Sequence, residues 1–288
     1  MPAWPSDYIE KVVEDVEKYN GIRKVIKAGL IERCMTRFCA PEKLHPNPAD
    51  EFSQAEIGPN LEIVGEYVTQ IKFLEAHRMD VFDDPVIVEK MEPDGYLLLN
   101  GHHRWFAALR MNVKKLHVKI VNIITDIDLG RMIGASANDK LVTFDFDEVL
   151  LTIDENNMAT LSSTIFSKKI KERLRTGAPE VISAFQNKGY DICVYTSGYF
   201  TEEDFNDFFS MYDLKADVIV NGVNEKRKAA GSADRIKQLL KENYKRIVHV
   251  DNESVYDVDH VTKEFETYEI KDFDLSWDEG VKDIIDKL

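Results

Sequence analysis

Two aspartates one residue apart, Asp145 and Asp147, follow directly on the apolar run Leu141 to Phe144. Thr196-Ser197-Gly198 stands in the same way after Asp191 to Tyr195, and Asp251-Asn252-Glu253 after Arg246 to Val250. A cationic run, Lys226-Arg227-Lys228, lies between the last two. Carboxylates, a hydroxyl and a lysine suit phosphoryl transfer. A carboxylate nucleophile and a phosphate dianion repel each other until a hard cation and an ammonium offset their charges. Magnesium fits such a set, because it prefers oxygen ligands and retains waters beside one or two carboxylates. Alone, Asp-x-Asp is as well read as a strand-end turn, and a lysine run as a solvated face. The ordered recurrence of polar residues after apolar runs argues for chemistry.

A second constellation, Asn100-Gly101-His102-His103-Arg104, separates Tyr96 to Leu99 from Trp105 to Met111. A glycine turn between a strand and a helix leaves backbone N–H groups free at the helix start. Imidazoles and a guanidinium beside them complete an anion site. The plain alternative is one packed imidazole and one exposed. The histidines show no zinc spacing.

These residues need elements to hold them. Helical periodicity covers Ser6 to Arg37 in two pieces broken near Asn20-Gly21, and again Ile63 to His77. Pro41 to Asn60 reads as loop. Pro85 to Glu89 and Tyr96 to Leu99 read as strands joined by a turn at Glu92-Pro93-Asp94-Gly95. Trp105 to Met111 follows as a helix and Leu116 to Ile124 as a strand. Asp126 to Asp139 has no clear period and marks the expected boundary. Beyond it strands and helices alternate: strand 141–144, helices between Ser162 and Lys188, strand 191–195 and helix 202–209. Strand 218–220, helix 233–242 and strand 246–250 complete the series. Repeated strand–helix units imply an α/β fold with a parallel sheet covered on both faces, whose ligands sit beyond the carboxyl ends of the strands. The expected organisation is helices over 1–38, an α+β domain over 39–135 and the α/β domain over 136–288.

The chain has 288 residues, enough for two cores. With 37 basic and 52 acidic side chains its net charge is −15, which repels nucleic acid and argues against a nuclease. Residues 1–138 hold 17 basic and 21 acidic side chains and the remainder 20 and 31, so the acidic excess belongs to the second half. The opening residues have no signal pattern, and no apolar run is long enough to span a membrane, which predicts a cytoplasmic protein. Cys34, Cys39 and Cys193 are expected to be reduced packing residues.

From Lys140 onward, the order and spacing of the four motifs resemble the haloacid dehalogenase superfamily of aspartate-nucleophile phosphatases. The resemblance implies a magnesium-dependent phosphohydrolase. Asp145 would be the nucleophile, Asp147 the general acid/base, and Thr196 the donor to the phosphoryl oxygens. Lys228, or alternatively Lys226, would neutralise charge. Asp145, Asp251 and the backbone carbonyl of Asp147 would hold Mg2+. Glu148-Val149 stand where the family commonly has Gly-Thr, Asn252 replaces a second aspartate, and Asp257 is the candidate outer carboxylate. No cap-forming insertion is evident: Asp147 to Thr196 has room for a hairpin over Thr152 to Thr160 and two helices. Cys39 to Asn122 resembles the ParB/sulfiredoxin fold, nearest to free serine kinase-like members. That likeness implies an ATP- or ADP-binding domain with ATPase or kinase activity, its phosphates held by Asn100, Gly101, His102, His103 and Arg104. Asn100 replaces an aspartate of the kinase turn, for which Asp50 or Glu51 is a candidate substitute. The expected partners are a phosphorylated small molecule and a nucleotide. The alternative is a nucleotide-responsive binding module without turnover.

Overall fold

The computed structural model describes residues 6–54, 57–79, 82, 84–161, 173–221, 232–270 and 276–288. It divides into two compact units, Met1–Asn122 and Ile123–Leu288. Lys226 and Lys228, and the Ser162 end of the expected helical stretch, lie outside the described residues.

The first unit runs α1 (Ser6–Lys18), β1 (Lys24–Val25), α2 (Leu30–Met35), β2 (Phe38–Cys39), β3 (Leu44–His45), α3 (Leu61–Ala76), β4 (Val86–Glu92), β5 (Tyr96–Asn100), α4 (His102–Arg110) and β6 (Leu116–Ile120). Its sheet has the order β2-β6-β4-β5-β3, with β1 paired to β4. Pairing is mixed: β4 runs antiparallel to β5 and parallel to β6, and β3 runs parallel to β5. Val64 and Ile71 of α3 and Trp105 and Phe106 of α4 share a buried core with Val88, Leu98 and Leu116 of the strands. The loop expected over 41–60 contains β3, because Leu44 and His45 are drawn inside against Tyr96 and Leu97. The second amphipathic segment is helical only over α2, preceded by the short β1. Helix α1 covers this unit. Val12 and Tyr19 are buried, the Asp15 carboxylate meets His45 Nδ1 at 3.0 Å, and the Tyr19 hydroxyl donates to Asp94 at 2.7 Å.

In the second unit come α5 (Asp126–Gly134), β7 (Lys140–Asp145), β8 (Leu151–Thr152), β9 (Arg173–Leu174), α6 (Ala178–Asn187), β10 (Tyr190–Tyr195), α7 (Glu202–Ser210), β11 (Val218–Val220), α8 (Ser232–Asn243), β12 (Arg246–Val250), β13 (Ser254–Asp259), β14 (Phe265–Glu269) and α9 (Trp277–Ile285). The sheet order is β11-β10-β7-β12-β13-β14. The four strands from β11 to β12 are parallel. β13 and β14 add to the edge antiparallel, so the sheet is mixed rather than wholly parallel. The turn at Asp251-Asn252-Glu253 sends the chain straight back along β12, which leaves no length for a crossover helix.

Alternation along the strands separates two faces. On one, Val142, Phe144, Ile192, Val194, Val248 and Val250 pack with residues of α6, α7 and α9. On the other, Leu141, Cys193 and Val218 pack with Leu129 and Ile133 of α5 and Ile236 and Leu240 of α8. The stretch expected to be an irregular boundary is therefore a core helix. Thr125 caps α5 in a reciprocal box with Asp128, a local signal that outweighs its two glycines. The hairpin expected over 152–160 closes instead between β8 and β9. Cys39 and Cys193 are buried and Cys34 is exposed, so only two of the three cysteines pack. Among the described residues no helix is long and apolar enough to cross a membrane.

Candidate active site at the strand ends

The central strand β7 is flanked by β10 and β12 running in the same direction. Tyr195 is level with Asp145, and Val250 with Phe144. Parallel pairing at this register brings Asp145, Thr196 and Asp251 out at one edge of the sheet. Between the two aspartates, Phe146 turns the other way into an aromatic cluster, 4.9 Å from the ring of Phe205 and 5.3 Å from Phe208. That buried ring anchors the wide turn Phe146–Leu150 and sets the carboxylates on either side of it.

Asp145 caps this turn, one carboxylate oxygen accepting the Glu148 N–H at 2.8 Å. Partial burial raises its pKa above the ordinary aspartate value. The Glu148 N–H opposes the rise, and the negative charges of Asp147 and Glu148 reinforce it. Tyr195 reports how near the carboxylates are. Burial pushes its phenol well above the usual tyrosine range, and the charges of Asp145, Asp251 and Glu148 add to the effect.

Asp147 is held by four contacts from the tip of β10. The Thr196 hydroxyl lies 2.7 and 2.8 Å from its two oxygens, and the Ser197 N–H and hydroxyl donate at 2.8 and 2.9 Å. Thr196 is fully buried, and its oxygen accepts the Gly198 N–H at 2.9 Å. Expected to meet phosphoryl oxygens, Thr196 here positions Asp147, and Ser197 carries the exposed hydroxyl. Asp257, the candidate outer carboxylate, is elsewhere. It sits within β13 level with Val248, buried, and receives the Arg246 guanidinium, with Nε donating at 2.9 Å.

Arg175 went unnoticed in the sequence, where a single arginine before a helix gives no signal. Its guanidinium donates to the Val149 carbonyl at 3.1 Å and the Asn252 side-chain oxygen at 2.7 Å, and lies 4.2 Å over the ring of Trp277. Trp277 in turn donates to the Asp251 carbonyl at 3.2 Å, and the Asn252 amide reaches the Glu148 carbonyl at 3.2 Å. These contacts bind the loops after β7 and β12 to each other.

Among the described residues no three or more His, Cys, Asp or Glu side chains are grouped to hold a metal ion. The expected ligand set at this edge has two carboxylate side chains and one backbone carbonyl. That all-oxygen chemistry matches a cation that keeps waters and takes further oxygens from a phosphate.

In the first unit, Gly101 has φ +92° and opens α4, its missing side chain allowing Val86 to pack at 2.7 Å from where a Cβ would stand. The five residues of the turn are divided in role. Asn100 is exposed. His102 is buried, with Nδ1 3.7 Å from the Asp50 carboxylate. His103 Nε2 accepts the Asn60 N–H at 3.1 Å, at the start of α3. Arg104 donates to the Asp84 carbonyl and carboxylate at 2.7 and 2.6 Å. Arg104 and Arg78 both line a cavity of about 630 Å³ beside α3.

No protein-family model, no curated protein and no solved structure matches this chain.

Proposed function

We propose that the second unit is a magnesium-dependent phosphohydrolase acting through an aspartyl-phosphate at Asp145. The observation carrying this reading is the parallel register of β7, β10 and β12, which brings Asp145, Thr196 and Asp251 to one end of the sheet, with Asp147 bound to Thr196. A magnesium ion held by Asp145, Asp251 and the Asp147 carbonyl would supply the positive charge that lets a carboxylate approach a phosphate. One Asp145 oxygen is fixed by the Glu148 N–H, which leaves the other to form the bond to phosphorus as the ester bond breaks. Asp147, oriented by Thr196 and Ser197, gives a proton to the departing oxygen and later takes one from the water that hydrolyses the aspartyl-phosphate. The expected substrate is a phosphorylated small molecule. Phosphate release from a generic ester in the presence of magnesium tests the reading. Asp145→Asn is expected to abolish it, and full activity in that variant sinks the assignment.

The first unit is read as an ATP- or ADP-binding domain with ATPase or kinase activity, on the strength of the left-handed Gly101 turn with Asp50 beside His102. Titration with ATP or ADP and magnesium tests it, and neither binding nor turnover would remove it. The competing reading, a nucleotide-responsive module without turnover, draws on Thr196 facing Asp147 and Arg104 facing Asp84. A magnesium thermal-shift titration with a phosphatase screen separates the two, since binding without turnover favours the module.

A further inference from the structure

Among the described residues, the sheet face that carries α5 and α8 is covered only in part. Both helices pack over β11, β10 and β7. At the margin of α8, a cavity of about 590 Å³ lies over Thr143, Tyr195, Ile247, His249 and Val258. Two residues of its floor, Tyr195 and His249, begin a row of rings that continues beyond the cavity. The rings of Tyr195 and His249 stack with centroids 5.8 Å apart, those of His249 and Tyr256 6.0 Å apart, and those of Tyr256 and Phe265 6.4 Å apart, all within 27° of parallel. On the central strand, between those of Tyr195 and His249, Thr143 is level with His249 on one side and Cys193 on the other. The Thr143 hydroxyl is 2.9 Å from His249 Nδ1, and the Tyr195 hydroxyl 3.3 Å from Nε2. Ring orientation is therefore fixed by hydrogen bonds on both sides of the imidazole.

The charge around this cavity is unusual for the molecule. Net charge is −15, yet the described residues lining the cavity include Lys237, Lys241 and His260 and no carboxylate. An apolar enclosure of a few hundred cubic ångströms with a few polar groups at its margin has the form of a small-molecule site. Flat rings offered in parallel favour another flat ring, and lysines at an apolar margin favour an acid group attached to it.

We infer that the cavity between α8 and the Tyr195–His249 ring pair binds a small organic anion with a flat aromatic body, its acid group toward Lys237 and Lys241. The site adjoins the strand-end carboxylates, since Tyr195 is level with Asp145 and His249 stands two residues before Asp251, but binding there does not depend on phosphohydrolase activity.

The test uses the full chain and 8-anilinonaphthalene-1-sulfonate, whose fluorescence rises in an apolar site, beside the uncharged N-phenyl-1-naphthylamine. The expected result is one saturable site per chain, with the neutral probe bound at least tenfold more weakly. Val258→Trp fills the cavity and should abolish saturable binding. Lys237→Glu with Lys241→Glu, both exposed positions that leave the core untouched, should weaken the sulfonate at least tenfold and spare the neutral probe. Cooperative thermal unfolding of each variant shows that the fold is kept. Equal affinity for the two probes, indifference to charge reversal, or absence of a saturable site would each overturn the inference.

Discussion

The Thr196 hydroxyl has one acceptor pair to serve, the two oxygens of Asp147, and no water reaches it. Thr196→Val keeps the shape and removes the donor, leaving Asp147 to Ser197 alone. On the usual size of acid/base contributions, kcat should fall about 10- to 100-fold with KM little changed. Thr196→Ser should restore most of the loss, and steady-state kinetics of the three proteins check it. A fall in KM alone, or no rescue by serine, would place Thr196 outside the mechanism. Gly101 makes a different kind of demand. Alanine there must hold φ +92° and press against Val86, two costs totalling about 2–4 kcal/mol. Denaturant unfolding measures that loss.

At the scale of elements, α3 begins where His103 Nε2 accepts the Asn60 N–H, which requires an unprotonated nitrogen. Burial lowers the His103 pKa, with the Asp50 charge pulling more weakly the other way. The unfolded chain, with histidine near pH 6.5, thus binds the proton more readily than the native one. Its contribution to stability is complete above that pH and is lost as pH falls through the lower native value. Native-state hydrogen exchange of α3 amides should accordingly show weaker protection at pH 5 than at pH 7.5. His103→Gln keeps an acceptor that does not titrate and should flatten that slope. The elements themselves were largely legible. Near-continuous apolar runs located β7, β10, β11 and β12, because parallel strands covered on both faces bury successive residues. β13 and β14 escaped notice, since their outward residues, Glu264 to Glu269 among them, mix charge with aromatic rings and hide the alternation. The positions of Asp145 and Asp251 at strand ends were legible for the same reason as the strands, since each follows a clear apolar run. Arg175 and the clamp on Asp147 were not, because contacts between residues far apart in sequence leave no local pattern.

For the molecule as a whole, the division at 122/123 predicts where the chain can be cut. Residues 123–288 contain α5, whose Leu129, Met132 and Ile133 are buried. A fragment beginning at Lys140 loses those three side chains from the core, at a cost of about 4–8 kcal/mol. Expressed separately, 123–288 should unfold cooperatively and 140–288 should be unfolded or strongly destabilised. Equal thermal stability of the two fragments would show that α5 is dispensable. Glu266 and Glu269 place charge on the edge strand β14, which disfavours its pairing with another chain.

The Arg175–Trp277 contact also bears on the order in which a ribosome delivers the site. A nascent chain halted anywhere between Asp251 and Trp277 already carries Asp145, Asp147 and Asp251. It lacks the indole that seats the guanidinium and caps the Asp251 carbonyl. Such an intermediate has its acidic groups in hand but not the full brace between the loops after β7 and β12, so that brace is completed late, with the emergence of α9.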